Sequence, residues 1–189
     1  VRWGILGGTF DPIHLGHLRA AENAREALSL DAVAFVPSGT PPHRPGPLTS
    51  ALDRYAMVAA ATAGHPAFRP SDVEIRRGGL SYTVDTVGEW RTRFPGDTLY
   101  LIVGADAFSE MGTWKEPERI FDLCVVAVVS RPGESTVRAP RDHRVEWIDG
   151  PSLAISSSDV RLRVSAGKSV RYLVPDAVAD FVEKRGLYR

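Results

Sequence analysis

Apolar residues recur along this chain with two alternating periods. WGILGG at 3–8 is a short continuous apolar run closing on glycines, the pattern of a buried strand. From Leu15 to Leu28 the spacing changes. Leu18, Ala21, Ala24 and Leu28 share one stripe, with Arg19, Glu22, Arg25 and Glu26 largely off it, which predicts an amphipathic helix. AVAFVP at 32–37 reads as a strand again. Strand, helix and strand in that order make a unit with parallel strands.

The alternation continues. SGTPPHRPGPLTS at 38–50 holds four prolines and two glycines and predicts a loop. LDRYAMVAAATAG at 52–64 predicts a helix stopped by Gly64. FRPSDVEIRRG at 68–78 is read as carrying a strand, and 81–94 as a helix with Val84, Val87, Trp90 and Phe94 on one face. Pro95-Gly96 ends it. LYLIVGAD at 99–106 is the strongest strand, a continuous run suited to a sheet covered on both faces. A short helix over 116–123, strands at 124–130 and 145–149, and helices at 157–167 and 175–185 complete the pattern, with 131–142 as loop. The prediction is one doubly wound α/β domain with a mostly parallel sheet, spanning 1–189 and ending in a small helical part from about 155.

Composition changes this picture little. The 189 residues are 43% hydrophobic and 24% charged, the balance of a soluble globular domain. Lys plus Arg equals Asp plus Glu at 23 each, so no long-range field favours nucleic acid or a membrane, and anion binding must come from local groups. A single cysteine, Cys124, sits in an apolar run; it excludes a disulfide framework within the chain and reads as a buried thiol. VRWGILGG lacks the features of a signal peptide, and no apolar run approaches the ~18 residues of a spanning helix, so a cytoplasmic protein is expected.

The chemistry concentrates in GGTFDPIHLGH at 7–17, beyond the first strand and entering the first helix. Glycines let a ligand approach bare backbone, and the helix start favours an anion. His14 and His17 lie on one side of the first helical turn. The stretch matches neither GxxxxGK[ST] nor GxGxxG. Zinc ligation is disfavoured, because no cysteine is near and His43, His65 and His143 fall in Pro- or charge-rich segments. A phosphate site is the better reading.

GGTFDPIHLGH closely resembles the signature of the nucleotidylyltransferase superfamily, with its T/HxGH element. TPPHRP (40–45), SYTVDT (81–86), GADAFSEMGTWKE (104–116), ISSSDVR (155–161) and the GLYR segment narrow the resemblance to the bacterial nicotinate-nucleotide adenylyltransferases, end to end. The resemblance implies a Rossmann-like nucleotidylyltransferase fold and an enzyme of NAD biosynthesis. Such an enzyme joins nicotinic acid mononucleotide to ATP, releasing pyrophosphate, without a covalent intermediate. Sister enzymes acting on nicotinamide mononucleotide or phosphopantetheine, and a catalytically silent nucleotide-binding module, are the competing readings.

By that resemblance His14, His17 and Arg161 are catalytic, and Gly8, Thr9, Phe10, Gly104, Asp106 and Ser157 also bind ATP. Phe10 reads equally as an aromatic packing its turn, Asp106 as the cap of a helix starting near Ala107, and Ser157 and Ser158 as caps. Thr83, Thr86, Trp114 and Lys115 are implied for the mononucleotide: Trp114 stacks on the ring, and backbone N–H groups near Thr83, Thr86 and Lys115 take its carboxylate. Relatives often carry an aromatic at 115; Lys115 either attracts the carboxylate or projects into water. His43 and Arg44 are candidates on a mobile loop. Mg²⁺ is expected through the ATP phosphates, with no dedicated protein metal site, no nucleic-acid or membrane partner, and self-association left open.

Overall fold

The structure, a computed structural model, describes residues 1–42, 49–130 and 144–189. Six strands form one all-parallel sheet: β1 (Arg2–Gly8), β2 (Ala32–Pro37), β3 (Phe68–Pro70), β4 (Thr98–Gly104), β5 (Val125–Val129) and β6 (Val145–Ile148). Their spatial order is β3-β2-β1-β4-β5-β6. The chain winds outward from β1 to β3, then returns to lay β4 on the other side of β1. That reversal opens a crevice at the carboxyl ends of β1 and β4, the place where open parallel sheets bind ligands.

Helices α1 (Leu15–Leu28), α2 (Ala51–Thr62), α3 (Val73–Arg77), α4 (Thr83–Arg93), α5 (Ala105–Ser109), α6 (Pro117–Leu123), α7 (Ser157–Ser165) and α8 (Asp176–Arg185) complete the fold. Successive strand residues face opposite sides, so each strand feeds two cores. Leu6, Phe35, Ile102 and Ala127 pack with Ala21, Ala24, Met57, Val160, Val178 and Val182 on one face. Ile5, Ala34, Leu101 and Val126 pack with Val84, Val87, Trp90 and Ile120 on the other. Burial on both faces explains why β2, β4 and β5 read as unbroken apolar runs. Each fully buried aliphatic side chain contributes ~1.5–3 kcal/mol. The valines of α7 and α8 share the core of α1 and α2, and Arg185 on α8 pairs with Asp53 on α2 at 3.0 Å.

Residues 68–78 carry the expected strand, β3, followed by the short helix α3 with Asp72 at its N-cap. Helix α2 ends at Thr62 with Ala63 as its C-cap, which leaves the expected stop residue Gly64 directly beyond the cap. Two local expectations are corrected. Helix α5 begins at Ala105 on a Gly104 N-cap, so Asp106 stands in its first turn and does not cap it. Ser156, not Ser157 or Ser158, caps α7 by accepting from the Asp159 N–H. Among the described residues no helix is long and apolar enough to cross a membrane.

Candidate active site

The segment between β1 and α1 is held from beneath. Phe10 takes φ +52°, and its ring is buried against His17 and Phe35 at centroid distances of 5.0 and 6.1 Å. Arg54, wholly buried on α2, donates to the Thr9 carbonyl at 2.8 Å and the Gly39 carbonyl at 3.1 Å. The buried Asp11 carboxylate accepts from Thr49 at 2.5 Å and Tyr188 at 2.6 Å. Burial and the Asp11 charge raise the Tyr188 phenol above its ordinary range, so it stays a donor. From α7, Arg161 donates to the Asp11 carbonyl at 2.8 Å and Ser157 to the Pro12 carbonyl at 2.9 Å.

On this base His14 is the N-cap of α1 and His17 its third residue. Their rings stack at 3.7 Å with 22° between planes. A Cβ on Gly16 would stand 3.0 Å from the His14 ring, so glycine lets that ring lie over the helix start. The His14 N–H donates to Nδ1 of His17 at 3.2 Å, so neutral His17 carries its proton on Nε2. Nδ1 of His14 is buried without a partner. Burial lowers His14 to a pKa of about 4; burial and the neighbouring His14 lower His17 to about 3. Both rings are neutral at pH 7, and an adjacent polyphosphate would pull them toward imidazolium.

Two cavities open side by side at the carboxyl ends of β1 and β4. The first, about 520 Å³, is bounded by His14 and His17, by Asn23 of α1, and by Pro151–Leu153. The second, about 480 Å³, is bounded by Gly8 and Thr9, by Ser38 and Glu74, and by the start of α4 with Trp114 and Lys115. They meet along Gly7, Gly104, Asp106 and Trp114. A Cβ on Gly7 or Gly104 would meet nothing within 4 Å, so bare backbone faces the shared space.

The second cavity is polar at its floor. The Thr86 hydroxyl donates to buried Glu74 at 2.5 Å and accepts from Arg77 at 3.0 Å. Burial raises the Glu74 carboxyl above its usual range, against the hydrogen bonds from Thr86 and Ser81 that lower it. The Thr86 N–H bonds the Tyr82 carbonyl, so the first-turn donors that α4 leaves without an intrahelical acceptor are Thr83 and Val84. Lys115 reaches Asp85 at 3.0 Å and lies 4.7 Å over the Tyr82 ring. Among the described residues no group of three His, Cys, Asp or Glu is placed to hold a metal ion.

Residues 5–163 match the family described as cytidylyltransferase-like. Over its full length the chain is 48% identical to the probable nicotinate-nucleotide adenylyltransferase of Thermus thermophilus, with 100% of both chains covered. It is 45% identical to that of Citrifermentans bemidjiense, covering 100% of this chain and 98% of the relative. The chain belongs to the nicotinate-nucleotide adenylyltransferase family. The structure of Plasmodium falciparum nicotinic acid mononucleotide adenylyltransferase complexed with NaAD shares the fold, with a TM-score of 0.81 at 18% identity over 99% of this chain and 97% of that one.

In this adenylyltransferase the residues singled out from sequence fall in different places. His14 and His17 border the first cavity, Gly8, Thr9, Thr83, Thr86 and Lys115 the second, and Gly104, Asp106 and Trp114 both. Phe10, Ser157 and Arg161 border neither: the Phe10 ring is in the core, and the other two bind the carbonyls of the histidine turn. His43 and Arg44 lie outside the described residues. Sequence reasoning missed Asn23, Ser38, Glu74 and the wall at 151–153, which carry no motif. Gly7, the first of the glycines expected to let a ligand approach bare backbone, lines both cavities.

Proposed function

We propose that the two cavities are the donor and acceptor halves of one adenylyl-transfer site. ATP occupies the half beside His14 and His17, and nicotinic acid mononucleotide the half beside Trp114. A phosphate oxygen of the mononucleotide attacks the ATP α-phosphorus in line. One P–O bond forms as the bond to pyrophosphate breaks, giving nicotinic acid adenine dinucleotide without a covalent enzyme intermediate. The observation that carries this reading is the stacked His14–His17 pair beside a first cavity that joins a second across bare glycine backbone.

Such a transfer needs positioning and charge stabilisation more than covalent chemistry. Gly7, Gly8 and Thr9 line the phosphate path through backbone. Nε2–H of His17 donates to the polyphosphate, and His14 adds a second donor once phosphate charge favours its protonation. Arg161 has donors left after its bond to Asp11 and, in this reading, turns them to the β- and γ-phosphates. The proton of Ser157 is committed to Pro12, so its part is to hold α7 against the turn. Asp106 accepts from ribose hydroxyls.

In the acceptor half Trp114 stacks on the pyridine ring, and the Thr83 and Val84 N–H groups at the start of α4 meet its carboxylate. Lys115 adds positive potential at the rim, reduced by its pairing with Asp85. Magnesium would be held mainly through phosphate oxygens, with Asp106, the acidic side chain common to both cavities, beside them. When bound it screens the polyphosphate charge.

The test is pyrophosphate release from ATP and Mg²⁺ with nicotinic acid mononucleotide, nicotinamide mononucleotide or phosphopantetheine. Release with the acid, well above the other two, is expected. Silence with the acid overturns the reading, and equal release with the amide broadens the acceptor class.

A further inference from the structure

We infer that Asn23 is a positioning residue that fixes the base-facing wall of the donor cavity and thereby sets preference for one purine nucleotide over another. The inference rests on assigning the first cavity to ATP. Asn23 stands in the middle of α1, only 5% exposed, in a helix whose other buried positions are alanines. A buried amide there needs partners.

It has two of opposite kind. Its Nδ2 donates to the Pro151 carbonyl at 2.9 Å, and its Oδ1 accepts from Nε of Arg19 at 2.7 Å. Arg19 can only donate and the carbonyl can only accept, so the amide orientation is forced. Arg19 is itself held by Glu26 at 2.9 Å. The chain of contacts therefore runs Glu26–Arg19–Asn23–Pro151, from the outside of α1 into the cavity wall.

Residues 150–155 adopt no helix or strand, and Pro151 through Ala154 are exposed. Ile155 packs one end against the core, Ser130 holds Asp149 just before the other end at 2.8 Å, and Asn23 is the described side chain that bonds the wall itself. The fit at Asn23 is close. A Cβ on Gly150 would stand 2.6 Å from Nδ2, so any larger residue there displaces the amide or the wall. Pro151, Ser152 and Leu153 line the donor cavity together with Ala20 and Asn23. Purines differ in the donors and acceptors on their edges, so a wall offering backbone groups discriminates only while held at one distance. Asn23 acts through the wall, not on the reacting atoms.

Asn23→Asp tests this. It keeps an acceptor for Arg19 but sets a carboxylate against the Pro151 carbonyl. With ATP and GTP as donors, the KM for ATP should rise about fivefold to tenfold and the ATP-over-GTP preference in kcat/KM should fall by a similar factor. The KM for nicotinic acid mononucleotide and kcat should stay within about twofold. Gly150→Ala, which presses the same contact from the other side, should give the same split, and it carries the test if Asn23→Asp does not fold. Equal changes in both KM values, or an unchanged KM for ATP in the folded variants, overturns the inference. If the wild type makes no product from nicotinic acid mononucleotide, the reaction assignment fails instead. Calorimetric binding of ATP against GTP then decides the role of Asn23 by the same criterion.

Discussion

Two neutral imidazoles in contact are an unusual way to prepare for an anion, and their titration makes the arrangement testable. His14 and His17 titrate near 4 and 3 in the folded protein against 6.5 for a free ring. The unfolded chain therefore binds more protons below about pH 6.5, so their contribution to stability is fully present above that pH and is lost on acidification toward the folded values. Urea unfolding between about pH 7.5 and about pH 4.5 should show this loss, and His14→Gln with His17→Gln should flatten it. Polyphosphate reverses the balance: ATP binding at about pH 6 should take up protons, read as buffer-dependent heats in calorimetry. No uptake would mean that both rings meet the phosphates as neutral donors. His17→Ala should lower kcat by about 10²–10³ in a protein that remains folded. The histidines were legible because their motif is contiguous. Asn23, Ser38 and Glu74 were not, because each is an ordinary polar residue in its local pattern, and only tertiary assembly buries it beside a cavity. Ser38 shows the limit: its Oγ is buried without a partner at the acceptor half, yet nothing in SGTPP marks it.

At the level of elements, glycine at the strand ends serves two opposite ends. Gly39 follows β2, and a Cβ there would stand 2.9 Å from the Glu74 carbonyl oxygen, a backbone atom that cannot rotate away. Gly104 ends β4, where a Cβ would meet open cleft. Gly39→Ala should therefore destabilise by about 1–3 kcal/mol, lowering Tm in a thermal melt. Gly104→Ala should leave Tm unchanged and raise the KM for ATP, because its methyl occupies space the ligand needs. The reverse pattern would mean the cleft lies elsewhere. Strands β1, β2, β4 and β5 were legible because sheets covered on both faces leave continuous apolar runs. The helix α3 that follows the expected strand at 68–70 was not, since a single turn is shorter than the period used to recognise a helix.

Over the whole molecule, two reporters separate local from global events. Cys124 is buried where α6 meets β5; its Sγ donates to the Ile120 carbonyl at 3.3 Å, and burial pushes the thiol up to about 12. The folded protein should be inert to thiol reagents at neutral pH, reacting at the rate of unfolding, so labelling followed by mass measurement reads global opening. Fast labelling of native protein would show that this side of the sheet breathes independently. The second reporter is the bond between Tyr188 and Asp11, which joins positions 177 apart at 2.6 Å. During synthesis the histidine segment leaves the ribosome first, and its tyrosine clasp follows only after the intervening chain. At ordinary translation speeds that gap is roughly 10–35 s. Throughout it the nascent sheet can begin to form while the turn bearing His14 and His17 stays unfastened, so catalytic competence waits for the segment that carries Tyr188.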